Sequence, residues 1–354
     1  MKGVKGGGFL RVAVSGLLLN RPSADRSPAS RFIRLAVFGL LLCAPMTLCA
    51  QTNEERDLIV VIGAPGGPEY ARQFSAAADL WQQAAARGGL RHTVIGQYAS
   101  SAGSVKSEND RTRLLRVLAA EASRPAGELW LVFLGHGTFD GRSAKFNLRG
   151  PDISADELAA ALKPCHRPLA VIQCASASGP FLPALSAPGR VIVTATRSGY
   201  EVNATRFGGF LARAIADPSA DLDKDGQTSL LEACLLAARL TDQFYKEQGR
   251  LATEHALIDD NGDGLGTPLE WFHGVRAVKT AEGGKSVDGV RAHQMVLVRG
   301  ESEQKLPPAV RARRDELEQN LSALRSKKPE LNEDDYYRQL EAILVEIARL
   351  YETK

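Results

Sequence analysis

Two apolar runs each end in a residue able to do covalent or proton-transfer chemistry. Glu128-Leu-Trp-Leu-Val-Phe-Leu-Gly-His-Gly-Thr138 closes on an imidazole between two glycines, which let the backbone turn tightly beside a ligand. Pro168-Leu-Ala-Val-Ile-Gln-Cys174 closes on a thiol followed by Ala-Ser-Ala-Ser-Gly179. A nucleophilic cysteine needs an imidazole nearby to raise its thiolate fraction, and neighbouring strand ends of one sheet can provide that without sequence adjacency. His136 and Cys174 are therefore the first candidate catalytic pair. The alternatives are a histidine bonded to its loop and a cysteine buried as a small hydrophobe.

A second chemistry is written in carboxylates. Asp221-Leu-Asp-Lys-Asp-Gly-Gln-Thr-Ser-Leu-Leu-Glu232 has the spacing of a calcium loop. Asp221, Asp223, Asp225 and Glu232 stand at the acidic places, Gln227 at the seventh place and Gly226 at the sharp turn. Asp259-Asp-Asn-Gly-Asp-Gly-Leu-Gly-Thr-Pro-Leu-Glu270 repeats the spacing with Asp259, Asn261, Asp263 and Glu270. The eighth place, usually aliphatic where two loops pair, is Thr228 in one and Gly266 in the other, so an ordinary pair of loops is not expected. Hard oxygen donors in this pattern imply Ca2+, against the alternative of solvated acidic turns.

These residues need a frame. Asp57–Gly63 reads as a buried strand, with further strands at 92–96, 128–134, 168–174 and 190–195. Helical spacing covers 69–87, 107–123 and 154–163, the last opening on the capping box Ser154-Ala-Asp-Glu157, and returns at 204–216 and 229–248. Alternating strands and helices predict an α/β fold, three layers deep, around a mostly parallel sheet whose ligands lie beyond the carboxyl ends of the strands. From Pro308 the chain loses glycine and carries apolar residues at helical spacing on both sides of Pro329, predicting a helical hairpin.

In chain order, Val132-Phe-Leu-Gly-His-Gly-Thr-Phe-Asp-Gly141, Lys145-Phe-Asn147, Ala170–Gly179 and Val193-Thr-Ala-Thr-Arg-Ser198 resemble segments of the legumain-type, peptidase C13-like branch of the caspase-like cysteine peptidases. The resemblance covers roughly 57–215. It implies a caspase-like fold, His136 as general acid or base, the Gly137 amide as oxyanion donor and a nucleophile within 174–176. It also implies that Arg197 and Glu201 wall a specificity pocket. The pattern departs at the nucleophile: those families set another residue between the strand-end Gln or Glu and the Cys, whereas Gln173 is followed directly by Cys174. Ungapped matching puts the nucleophile on Ala175; matching on the later Ser-Gly puts it on Ser176. Cys174, Ser176 as alternative nucleophile, and a degenerate pseudopeptidase all remain open.

The bulk composition fits this frame. The 354 residues hold 44 Lys and Arg against 41 Asp and Glu, interspersed, so nothing argues for a nucleic-acid partner. Arg31 and Arg34 precede the short apolar run Leu35–Cys43, and Pro45–Ala50 leads into polar sequence, as in a secretory signal cleaved near Ala50. That run is too short for a span, so no integral membrane span is expected in a secreted or periplasmic mature chain. Cys165, Cys174 and Cys234 then remain, an odd count that leaves at least one thiol unpaired or joined to another chain. The organisation expected is leader 1–50, peptidase-like domain 51–275, linker 276–307 with a possible strand, and hairpin 308–354. The expected function is an exported, calcium-binding thiol endopeptidase acting on peptides or proteins; the alternative is an inactive calcium-binding interaction module contacting partners through the hairpin.

Overall fold

The structure, a computed structural model, describes residues 55–97, 108–124, 127–284 and 286–352. The signal and leader expected over residues 1–50 lie outside the described residues.

Strands β1 (Asp57–Ile62), β2 (Arg91–Ile95), β3 (Leu129–Leu134), β4 (Gly137–Phe139), β5 (Ala144–Phe146), β6 (Ile153–Ser154), β7 (Leu169–Gln173), β8 (Arg190–Thr194), β9 (Leu257–Asp259) and β10 (Thr267–Pro268) follow in chain order. Seven of them form the main sheet in the order β10-β9-β8-β7-β3-β1-β2, and β4, β5 and β6 form a small antiparallel sheet. The five strands read from the sequence pair in parallel, while β9 and β10 extend the edge antiparallel. Helices are α1 (Pro68–Arg87), α2 (Asp110–Ala122), α3 (Ala155–Leu162), α4 (Phe181–Leu185), α5 (Phe207–Ala214), α6 (Leu230–Glu247), α7 (Val290–Gln294), α8 (Glu301–Lys305), α9 (Pro308–Ser326) and α10 (Glu333–Glu352).

The period of two along the strands divides the core into two layers. Leu58, Val60, Trp130, Val132, Ala170 and Ile172 pack with α1, α5 and α6. Ile59, Val61, Leu131, Phe133 and Val171 pack with α2, α3 and α4. Burying aliphatic side chains on both faces, at about 1.5–3 kcal/mol each, explains why these strands read as continuous apolar runs rather than alternating ones. This is the three-layer α/β/α arrangement with a C-terminal helical hairpin. Beneath the sheet, at the amino ends of its strands, the buried Arg167 pairs with Asp57 at 2.8 Å and Glu121 at 2.6 Å.

The expected linker at 276–307 is in fact packed structure. Ala292, Met295, Val296 and Leu297 are buried, and Leu230 N–H donates to the Met295 carbonyl at 2.8 Å. The glycines and charges at 278–288 mask that apolar cluster when the stretch is read as one unit. A short strand does form in this range, Arg276–Ala277, paired antiparallel with Phe272–His273, whereas Val296 makes only an isolated bridge to Ser229. In the hairpin, Leu317, Leu321 and Leu324 of α9 are buried, whereas α10 buries only Tyr336. Arg291 and Gln294 of α7 bond to Gln319 and Glu318 of α9, fixing the hairpin to the body. Among the described residues no helix is long and apolar enough to cross a membrane.

Candidate functional site

Crossovers leave β1 toward β2 on one side and, through β3, toward β7 on the other, so β1 and β3 flank the point where the winding reverses. In open α/β sheets ligands bind beyond the carboxyl ends at such a point. His136 stands at that point. Its Nε2 lies 3.2 Å from the carbonyl of Pro65, which follows β1, and its ring meets Tyr70 and Phe74 of α1 edge-on, with centroids 4.6 and 5.2 Å away. A carbonyl only accepts, so this bond requires Nε2–H and leaves Nδ1 with its lone pair. The two aromatics restrict rotation of the ring.

The next residue ties this strand end to the one after β7. Gly137 N–H donates to Ser176 Oγ at 3.1 Å, and Ser176 Oγ donates back to the Gly137 carbonyl at 3.1 Å. A β-carbon at Gly137 would sit 2.3 Å from the Ser176 carbonyl oxygen, so the close approach requires glycine. Ala177 then takes a left-handed φ of 52°, and its N–H donates to the Glu201 carbonyl at 2.8 Å. A non-glycine residue in that region costs about 1–2 kcal/mol, and such strain gathers where a side chain must be aimed. Beneath it Gln173 is wholly buried, with neither end of its amide hydrogen-bonded.

Cys174 is placed differently. It continues the face of Ala170 and Ile172 into the helix-side core, where a β-carbon on Gly208 of α5 would approach Cys174 Sγ to 3.1 Å. Burial, and then the Glu254 charge, push the thiol far above its ordinary range, the opposite of what a thiolate nucleophile needs. Cys165 and Cys234 are also free and buried. The structure thus joins Ser176 to Gly137, the residue after His136, and sets Cys174 among core side chains.

Arg197 and Glu201 bond to each other. Glu201 Oε2 accepts from the Arg197 backbone N–H at 2.9 Å, and its Oε1 lies 3.3 Å from Arg197 Nε and 2.5 Å from His255 Nδ1. Glu201 is therefore a brace between two loops, while the Arg197 side chain stays 59% exposed. Beside them Tyr200, 76% exposed, meets Phe139 of β4 edge-on at 5.3 Å. Tyr70 and Phe74 carried only the helical spacing of α1, and nothing in the sequence joined them, Pro65 or Tyr200 to this site, because they reach it from separate segments.

At the first acidic loop, oxygens of Asp221, Asp223 and Asp225 lie within 4.8 Å of one another. Asp221 accepts from Lys224 and Gly226 N–H, Asp223 from Asp225 N–H, and Asp225 from Gln227 N–H, which curls the loop around its carboxylates. Burial pushes the Asp225 carboxyl up. Three clustered carboxylates fit a hard cation. Glu232 Oε2 accepts from Ser229 N–H and Oγ–H, which caps α6, and Oε1 from Leu222 N–H; Glu232 also forms a second group with Asp223 and His293, whose donor atoms lie within 4.8 Å of one another. Asp223 also meets His293 Nε2 at 3.1 Å.

Asp259–Glu270 repeats the curl, with Asp259 accepting from Gly262 and Gly264, Asn261 from Asp263, and Asp263 from Leu265. Glu270 is exposed in a one-turn helix, and among the described residues no equally tight carboxylate group forms here. Instead, buried Asp260 accepts from Gly289 and Ala292 N–H at the start of α7, and buried Asp288 accepts from Asp260 and Asn261 N–H. Burial pushes both carboxyls up.

No family model matches the chain. No curated protein matches it in sequence. Solved structures do resemble it. The Drosophila initiator caspase Dronc is 12% identical over 60% of this chain and 82% of its own, with a TM-score of 0.39. A Geobacter sulfurreducens protein is 13% identical over 58% and 92%, at 0.37. Caspase-1 of Spodoptera frugiperda is 11% identical over 59% and 87%, also at 0.37.

Proposed function

We propose that this chain is an exported, calcium-binding hydrolase of peptide bonds in the caspase-like manner, with His136 as base and Ser176 in the nucleophile's place. The observation that carries the reading is the contact of Ser176 Oγ with the Gly137 amide, beside an imidazole whose Nδ1 lone pair is left available by Pro65. In the reaction, Ser176 Oγ attacks the scissile carbonyl and its proton passes to His136 Nδ1. The Gly137 N–H turns from Ser176 Oγ to the new oxyanion. The C–N bond then breaks as His136 returns the proton to the leaving amine, and water, deprotonated by the same imidazole, cleaves the acyl ester. Cys174 serves in packing. The test is a serine-directed fluorophosphonate and a thiol-directed probe applied in parallel, with the labelled residue mapped: Ser176 labelled, and unlabelled in His136→Ala, is the expected outcome. Labelling of Cys174 alone refutes it.

A second reading, an inactive caspase-like interaction module, is favoured by one observation. Ser176 is only 3% exposed and spends both its donor and its acceptor on Gly137. A site closed in this way opens only if substrate displaces the hydroxyl. The calcium proposal rests on Asp221, Asp223 and Asp225, which fit a hard cation; bound there, it would neutralise the loop's clustered charge. Export is proposed from the Arg31–Ala50 pattern, and N-terminal sequencing of protein recovered outside the cytoplasm tests it.

A further inference from the structure

The hollow nearest the amino ends of the strands lies on the side of the sheet away from His136, and its charge is one-sided. It encloses about 570 Å³, and its titratable walls are Lys163, Cys165, His166, Arg167, Arg190 and Arg291, with no carboxylate among its lining residues. Two of the guanidinium groups are occupied by the fold. Arg167 is held by Asp57 and Glu121, and Arg190 donates to the Leu162 and Leu185 carbonyls, the final carbonyls of α3 and α4. With those negative helix ends satisfied, they do not cancel the remaining cations. Lys163 and His166, both exposed, and Arg291 have no carboxylate partner among the described residues. Arg291 has only the neutral Gln319 Oε1 on one nitrogen at 3.0 Å, and its Nε is buried without any acceptor. A buried guanidinium donor left without an acceptor is costly, and the Arg291 charge stands in the wall of the hollow with no carboxylate beside it.

We infer that this hollow is a binding site for a small phosphate-bearing ligand, held by Lys163, His166 and Arg291. Lysine, histidine and arginine donors around a concave space, with no carboxylate among them, suit a tetrahedral anion. The volume admits a ligand larger than one phosphate group, so a diphosphate should exceed inorganic phosphate. The site is independent of the proposed hydrolysis, and Arg291 links it to α9 through Gln319. Calorimetric titration of the full chain with pyrophosphate, inorganic phosphate and sulfate at one ionic strength tests this. Saturable one-to-one pyrophosphate binding is expected, tighter than either other anion and roughly tenfold weaker in Lys163→Gln with Arg291→Gln. Lys163→Gln alone changes an exposed, unpaired side chain and cannot weaken binding by unfolding the chain; it should still weaken binding severalfold. Absence of saturable binding at millimolar pyrophosphate, equal binding of all three anions, or affinity unchanged in Lys163→Gln would each overturn the assignment.

Discussion

Replacing Cys174 distinguishes a packing thiol from a reacting one. Its sulfur lies against Gly208 in the helix-side core, 3% exposed, so Cys174→Ala removes one methylene-sized group from a close-packed interior. That costs about 0.5–1.5 kcal/mol, a fall in Tm of about 2–4 °C per kcal/mol for a domain of this size class. Cys174→Ser keeps the volume but introduces a hydroxyl among aliphatic neighbours, at about 1–3 kcal/mol if it finds no acceptor, so it should melt below Cys174→Ala. Because burial and the Glu254 charge hold the thiol protonated, iodoacetamide should modify Cys174 in the native chain only through opening, on the order of a thousandfold more slowly than in denaturant. Thermal melts, mapped alkylation and peptide hydrolysis of the three proteins side by side give the answer. Rapid native alkylation at Cys174, or lost hydrolysis in Cys174→Ala with unchanged melting, would refute both the packing role and the Ser176 assignment.

Other outcomes follow from single groups. Ser176→Ala and His136→Ala should each reduce turnover by about 10³-fold or more, far beyond what the loss of about 1–3 kcal/mol of stability with their bonds to Gly137 and Pro65 explains, and their double variant should turn over no more slowly, since the two act as a unit. Millimolar calcium should raise Tm and a chelator lower it, and Asp223→Ala with Asp225→Ala should erase most of that response, as measured by calorimetry. Arg167→Ala removes the shortest ion pairs of Asp57 and Glu121, leaving Arg91 on Asp57 at 2.9 Å and Arg124 near the two at 3.5 and 3.6 Å, and should cost about 1–3 kcal/mol in a denaturant titration. Burial, then the neighbouring Asp260 charge, raises the Asp288 carboxyl to about 8, above its unfolded value. Its contribution is therefore intact below the ordinary carboxylate range and is lost as pH rises toward and through 8. Asp288→Asn should flatten the fall in Tm between pH 5 and 9.

The α/β/α frame was legible because its signals are local. The buried strands are continuous apolar runs, and Ser154 begins α3 with the capping box its spacing announces. The acidic curls were legible for the same reason, each carboxylate bonding amides two to five residues on. What stayed hidden depends on contacts between distant segments. Nothing in Gly-Ala-Pro65 announces a partner for His136, which lies 71 residues on. Glu254 could not be read as the group that receives the Arg206 and Phe207 amides at the start of α5. His293, which comes within reach of Asp223 and Glu232 from α7, lies outside the loop and could not be read from its spacing.

The nucleophile question turns on parity. β7 pairs Gln173 with Phe133 on one side and Thr194 on the other, and the ladder continues one step further, where Cys174 N–H donates to the Phe133 carbonyl at 3.0 Å. Cys174 is thus still under the alternation of the strand, and alternation from Ala170 and Ile172 sends it into the core facing α5. Ala175 takes the opposite face with Val171. Ser176 is the first residue beyond that constraint, and the left-handed turn at Ala177 is what allows its hydroxyl to swing toward Gly137. A residue inserted between Gln173 and Cys174 would reverse the face of the thiol. The single-residue difference from the peptidase pattern therefore changes which side of the sheet the sulfur occupies, and the strand-end side chain that meets the Gly137 backbone is Ser176.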